Sequence, residues 1–208
     1  MAHRHVRAEP TRPDAVEPGL LEKSSDRSSS VSLPRVVAFS ASANRPSRTR
    51  NLVEAVAAEL ARHRRIDLDV LDLVDAGPGL GATARDGLSP AAARLIGAIE
   101  GADALIVGTP VYQGAYSGLF KHVFDFVEPA AMAGKPVVLT ATGGGLRHAL
   151  VVEHSLRPLF GFFAAHVAPT AVYAGPDENE DTTVPERIAA AARELDALLD
   201  IVRAPADA

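Results

Sequence analysis

The chain has 208 residues, a formal net charge of -5, 47% hydrophobic residues and no cysteine. Those values fit one domain with a tail and supply enough apolar material for a sheet covered on both faces. The mild acidity and the lack of a basic block argue against nucleic acid as a partner. Without thiols there are no disulfides, zinc–thiolate sites or cysteine nucleophiles. No apolar run reaches the roughly 20 residues of a membrane span, and the N-terminal segment has neither the apolar core of a secretory signal nor, with Glu9, Asp14, Glu17 and Glu22, the composition of a transit peptide. We expect a cytoplasmic protein.

Residues 1–33, rich in Arg, Pro, Ser, Glu and His, read as a disordered N-terminal extension. Folded structure is expected over 34–203, with 204–208 a flexible C-terminus. The run Arg35 to Phe39 predicts a first buried strand, and apolar residues at helical spacing predict a helix from about Ser47 to His63. Ile66, Leu68, Val70 and Leu71 suggest a second strand, followed by a glycine-rich loop from Asp75 to Leu88. Ser89-Pro90 has the form of a helix start, the serine as N-cap and the proline at the first helical position, with the helix ending near Gly101.

Ala104 to Gly108 predicts a third strand, and Thr109 to Lys121 a strand-to-helix turn leading into an apolar helix over 119–127. A fourth strand spans Lys135 to Ala141. After Thr142-Gly143-Gly144-Gly145 comes a helix to Phe163, which Pro158 should kink. A fifth strand over Val167 to Tyr173 and an amphipathic helix from Val184 to about Val202 complete the series. Five strands alternating with helices predict an α/β three-layer sandwich around a parallel sheet, of flavodoxin-like strand order 2-1-3-4-5.

Ligands of such sheets bind outside the carboxyl ends of the strands, and three strand-end loops carry suitable chemistry. The first, residues 40–51, places Ser42, Ser47 and Thr49 with Arg45 and Arg48 at a helix N-terminus, a combination that suits a phosphate. It lacks both G-x-G-x-x-G and the Walker pattern, which argues against a dinucleotide Rossmann site or an NTPase. The second holds Pro110, Val111, Tyr112, Tyr116 and Ser117, small residues and tyrosines that fit a flat aromatic ring. The third, Thr142, Gly143, Gly144 and Gly145, exposes bare N–H groups to ring oxygens or nitrogens. Together they match a phosphorylated flat cofactor, and FMN fits best. The histidines show no metal-ligand spacing; His148 is a candidate proton donor, while His122, His154 and His166 read as structural.

The segments Ser42…Pro46-Ser47-Arg48-Thr49, Thr109-Pro110-Val111-Tyr112…Ala115-Tyr116-Ser117-Gly118…Lys121 and Ala141-Thr142-Gly143-Gly144 resemble the NAD(P)H-dependent FMN reductases of two-component sulfonate and sulfone monooxygenase systems. The run Arg147-His148-Ala149-Leu150 through Arg157-Pro158-Leu159-Phe160 is similar to the methanesulfonate branch in particular. The resemblance implies a flavodoxin-like fold, a homodimer or homotetramer, FMN and NADPH (or NADH) as cofactors, and delivery of reduced flavin to an FMNH2-dependent monooxygenase. It implies that Ser42, Ser47 and Thr49 hold the phosphate, that Pro110, Val111 and Tyr112 line the isoalloxazine, and that Thr142, Gly143 and Gly144 meet its polar edge. Tyr116 matches a residue associated in that family with a one-residue helical bulge. The chain departs from many relatives at Ala41, where they have Gly, and at Ala43-Asn44, where they have Pro-Arg.

Hydride transfer between nicotinamide and flavin needs stacking rather than a protein acid, so no catalytic residue is assigned. Arg147 is a candidate for a pyridine-nucleotide phosphate. Two rival functions share these loops: a reductase of quinones, azo dyes or metal oxyanions with tightly held FMN, and an electron-carrying flavodoxin. The apolar circumference of 119–127 predicts a helix buried on more than one side, and with it a subunit interface.

Overall fold

The computed structural model describes residues 32–176 and 183–204; the expected extension, apart from Ser32 and Leu33, and the last four residues lie outside that range. Strands β1 (Arg35–Ser40), β2 (Asp67–Asp72), β3 (Ala104–Tyr112), β5 (Pro136–Thr142) and the paired short pieces β6 (His166–Val167) and β7 (Val172–Ala174) form the sheet in the order β2-β1-β3-β5-β6, with β7 also on β5. All of these pairings are parallel. The expected order 2-1-3-4-5 therefore holds, with β5 as the fourth parallel strand and β6 with β7 as the fifth. A two-residue strand β4 (Ala115–Tyr116) adds an antiparallel hairpin to β3, for seven strands in all.

Successive side chains of a strand point to opposite faces, so a doubly covered sheet must be apolar at consecutive positions. Val36, Ala38, Ala104, Ile106 and Val138 face helices α1 (Arg48–His63) and α7 (Thr183–Arg203). Val37, Phe39, Leu105, Val107, Val137 and Leu139 face the other layer, built from α2 (Leu73–Ala76), α3 (Pro90–Gly101), α4 (Gly118–Asp125), α5 (Pro129–Met132) and α6 (Arg157–Phe162). The centre of that layer is aromatic: Phe120 lies 4.8 Å from Phe124, which lies 5.0 Å from Phe160. Phe120, Val123, Phe124, Phe126 and Val127 are all buried within this one chain, leaving Leu119 exposed on α4. The apolar circumference of that helix is thus consumed internally and does not by itself call for a second subunit.

Three local expectations need correction and a fourth gains detail. The glycine-rich stretch 75–88 is not structureless: Asp72 and Asp75 form a reciprocal capping box that starts α2, and two 3-10 turns, Gly77–Gly81 and Arg85–Gly87, follow. The third strand does not stop at Gly108 but runs on to Tyr112 and turns back through Gln113 and Gly114, both at positive φ, as a tight two-residue hairpin. The fifth strand breaks at Pro169, which cannot donate to a ladder. Its irregular backbone is satisfied by side chains instead: Arg157 reaches the carbonyls of Ala168 and Pro169, Arg187 that of Ala171, and Glu194 accepts the N–H of Thr170. Finally, the helix carrying Pro158 changes its winding just ahead of the proline. A π turn over Val152–Leu156 passes the Arg157 N–H to the Val152 carbonyl, and Pro158 enters α6 in its first turn, where its missing N–H is harmless.

Lys135, before β5, is 8% exposed and donates from Nζ to the carbonyls of Ile99 (2.8 Å) and Glu100 (2.7 Å), closing the last turn of α3. Burial lowers its pKa to about 8 against the opposing pull of Asp103 and Glu100. The folded protein therefore holds this proton less tightly than the unfolded chain, where the ordinary value is 10.5. Stability through this group rises as pH climbs from about 8 to 10.5 and is flat on either side. The unfolding free energy of wild type relative to Lys135→Met, measured by denaturant titration, should increase across that window; a constant difference contradicts the assignment.

Candidate functional site

In a parallel sheet every crossover loop leaves from the same edge. Here Ser40 pairs with Gly108, Thr109 with Ala141, Pro110 with Thr142, and Thr142 with Ala174, so the three expected loops start side by side.

In the first loop the Ala41 N–H donates to the Gly108 carbonyl (2.7 Å), anchoring the loop to β3. The Ser42 hydroxyl donates to the Asn44 carbonyl (3.0 Å) and accepts its N–H (3.3 Å), closing a small turn ahead of the cis bond to Pro46. Ser47 is the N-cap of α1, its Oγ accepting the Arg50 N–H at 3.2 Å. The first turn of α1 contains no acidic residue, so its amides and dipole present positive potential to the loop. Thr49 turns inward, 3% exposed, and its hydroxyl lies 2.6 Å from that of Thr142, which is 6% exposed. One of these hydroxyls donates to the other, which keeps its own hydrogen for a further acceptor.

The third loop is held from beneath by Tyr173. Its hydroxyl donates to the Gly145 carbonyl (2.6 Å), and the Gly143 N–H donates to the Ala174 carbonyl (3.1 Å). A Cβ at Gly143 would collide with the Tyr173 hydroxyl, so glycine is required there by space. Burial raises the Tyr173 phenol above its ordinary value, opposed by the Gly145 contact and by the positive fields of Arg48 and Arg147. Those two arginines, on facing loops, thus share one electrostatic neighbourhood. Arg147 also lies against His148, Nε to Nε2 at 3.3 Å, and both stand at the loop rather than in the core.

The second loop divides into two groups. Pro110 and Val111 are half-buried, and Tyr112 is 62% exposed at the hairpin tip, so this flank offers apolar surface at the edge. Tyr116 and Ser117 serve the local fold. Tyr116 pairs with Val111 and sets its ring 5.7 Å from Phe120. Ser117, 4% exposed, caps α4 through the Phe120 N–H (3.1 Å), and its own N–H donates to Thr109 Oγ1 (3.0 Å). The bulge implied at Tyr116 is not found there. The Lys121 N–H returns to the Ser117 carbonyl (3.2 Å), ordinary α-helical bonding, because the serine cap fixes the first turn. Among the described residues the π turn lies at Val152–Leu156 instead.

Arg45 does not supply loose charge to the first loop. Its guanidinium grips Asp72 (2.7 and 2.9 Å) and Asp75 (2.7 Å), which raise its pKa further. Asp72 is fully buried; burial pushes its carboxyl up, but bonds from Arg45, Arg50 and the Val74 N–H prevail and hold it below the usual range. Arg50, Asp72 and Tyr173 escaped the sequence reading. Asp72-x-x-Asp75 has the spacing of a capping box, and Tyr173 is one of only three tyrosines, at the end of the final strand. Among the described residues no cluster of His, Cys, Asp and Glu is arranged for a metal, and no helix is long and apolar enough to cross a membrane.

Gly143→Ala should destabilise the fold by about 1–3 kcal/mol through overpacking. Adding Tyr173→Phe should restore part of that loss by removing the clashing oxygen, so the double variant will be more stable than the sum of the single changes predicts. Chemical denaturation of the four proteins in this cycle checks it; strict additivity would show that the two positions do not meet.

Residues 34–180 match the family model for NADPH-dependent FMN reductase. The FMN reductase (NADPH) of Pseudomonas aeruginosa is 48% identical over 141 residues, 67% of this chain and 76% of that protein. The NADH-dependent FMN reductase SfnE of Pseudomonas putida is 45% identical over 150 residues, 72% of this chain and 81% of its own length. Among solved structures, an oxidoreductase from Corynebacterium diphtheriae superposes with a TM-score of 0.71 at 32% identity, covering 80% of this chain and 97% of that one. The apo NADH:FMN oxidoreductase EMOB gives 0.68 at 28% identity, covering 83% and 92%. These likenesses establish that the chain belongs to the NADPH-dependent FMN reductase family.

Proposed function

We propose that this NAD(P)H-dependent FMN reductase takes up FMN as a substrate, reduces it, and releases it to a separate FMNH2-dependent monooxygenase of organosulfur metabolism. The observation that carries the reading is the joining of the phosphate-type loop to the glycine loop through Thr49 and Thr142, which makes one site of two strand ends. Ser42, Ser47 and Thr49, with the first amides of α1 and the charge of Arg48, hold the phosphate. Pro110, Val111 and Tyr112 flank the ring system, and Thr142, Gly143, Gly144 and Gly145 line its polar rim, where the amides of Gly144 and Gly145 face the ring and that of Gly143 is spent on the Ala174 carbonyl. Tyr116 and Ser117 support this arrangement from the hairpin. Arg147 meets a phosphate of the dinucleotide.

The chemistry belongs to the two small molecules: a hydride passes from the reduced nicotinamide to the flavin, and one proton from solvent completes the reduced product. The chain contributes orientation and exclusion of water, and no side chain acts as acid or base. The reductase domain comprises residues 34–203, in the cytoplasm, where NAD(P)H is available. Leu119, Leu150 and Phe162, exposed on the layer that carries α4 and α6, are the surface through which a homodimer or homotetramer forms.

With purified protein, NAD(P)H oxidation should rise with added FMN to saturation, and quinone should be a poor replacement. A rate indifferent to added FMN defeats the substrate role. Thr49→Val keeps the volume, loses one hydroxyl, and should raise the KM for FMN about tenfold with kcat little changed.

A further inference from the structure

We propose that Asp72 is a positioning residue that sets how the enzyme recognises the flavin phosphate, by holding both ends of the phosphate-type loop against β2. The inference rests on the phosphate assignment above.

Arg45 precedes the N-cap Ser47 by two residues, and Arg50 follows it by three. Both bind the same buried carboxylate. Arg45 donates to Asp72 Oδ2 from Nε (2.7 Å) and to Oδ1 from Nη2 (2.9 Å); Arg50 donates to Oδ2 from Nη1 (2.7 Å). The Val74 N–H donates to Asp72 Oδ1 (2.9 Å), and the Leu73 N–H donates to the Ser42 carbonyl (3.2 Å). The strand end thus grips the loop at residues 42, 45 and 50, bracketing every hydroxyl assigned to the phosphate.

Charge balance indicates that this grip acts through shape. Arg45 and Arg50 stand against Asp72, Asp75 and Glu54, the last bound to Arg50 Nε at 2.8 Å. Two positive groups against three negative ones leave no net attraction for an oxyanion. Apart from Arg48, which lies outside this network, recognition of the phosphate at this side then depends on where hydroxyls and amides are held. A bidentate arginine–carboxylate pair supplies such a constraint, because its geometry is fixed as well as its charge.

Riboflavin, which has the same ring and side chain without the phosphate, separates positioning from general damage. In the full-length protein, Asp72→Asn should raise the KM for FMN about tenfold while the KM for riboflavin stays within about twofold and kcat is little changed. Arg45→Met, which leaves the Arg50 arm in place, should raise the FMN value about threefold with the same selectivity, and it decides the matter if Asp72→Asn does not fold. Equal rises for both flavins, no change for either, or tighter FMN binding through freed arginines each overturn the proposal. If wild type itself reduces FMN yet treats the two flavins alike, the phosphate assignment falls and this inference with it. Discrimination in wild type that survives both variants sinks the inference alone.

Discussion

The site depends on how closely the first turns of α1 approach the sheet. Gly108 has no side chain, and a Cβ there would lie 2.6 Å from Val53, 2.8 Å from the Thr140 hydroxyl and 3.1 Å from the Thr49 methyl. The helix therefore sits on bare β3 backbone, near enough for Thr49 to reach across to Thr142 on the next strand. Any larger residue at 108 would lift the helix and separate the two hydroxyls. A single hydrogen of side chain volume thus decides whether the first and third loops share one site, since close-packed interiors have no slack to absorb the displacement.

Around that contact, three buried polar groups are paired outward from the sheet. Tyr173 braces the glycine loop from the last strand, Asp72 braces the serine loop from β2, and Thr109 receives the N–H of Ser117 before α4. None of these three groups is at the rim of the site, yet each fixes a segment that is. A flavin whose chemistry is intrinsic needs correct placement more than reactive side chains. The division between bracing residues inside and hydroxyl or amide donors at the edge fits that need.

What could be read from the chain alone follows the range of each interaction. The alternation of buried strands and amphipathic helices, the Ser89 cap and the parallel order were legible, whereas Ser47, read as a phosphate ligand, proves also to cap α1. The two-residue hairpin was not, because Gln113 takes a positive φ that its residue type does not advertise and only Gly114 beside it hints at the turn. Nor was the interruption at Pro169: the proline was visible, but the arginine and glutamate side chains that make the break tolerable come from elements remote in sequence. Arg45 illustrates the same limit for the site. Composition placed a cation beside the serines, and only the fold revealed that two aspartates 27 and 30 residues later had already claimed it.

The break in the fifth strand also bears on how copies of the chain meet. An open sheet ends in two borders, each capable of continuing the ladder into a neighbour. Here one border is two short pieces with a proline between them, and the other, β2, carries exposed Asp67 and half-buried Asp69, which is paired with Arg35. Neither offers a long uncharged template, so continuation of the sheet from one copy into another is discouraged, and the ladder ends within a single chain.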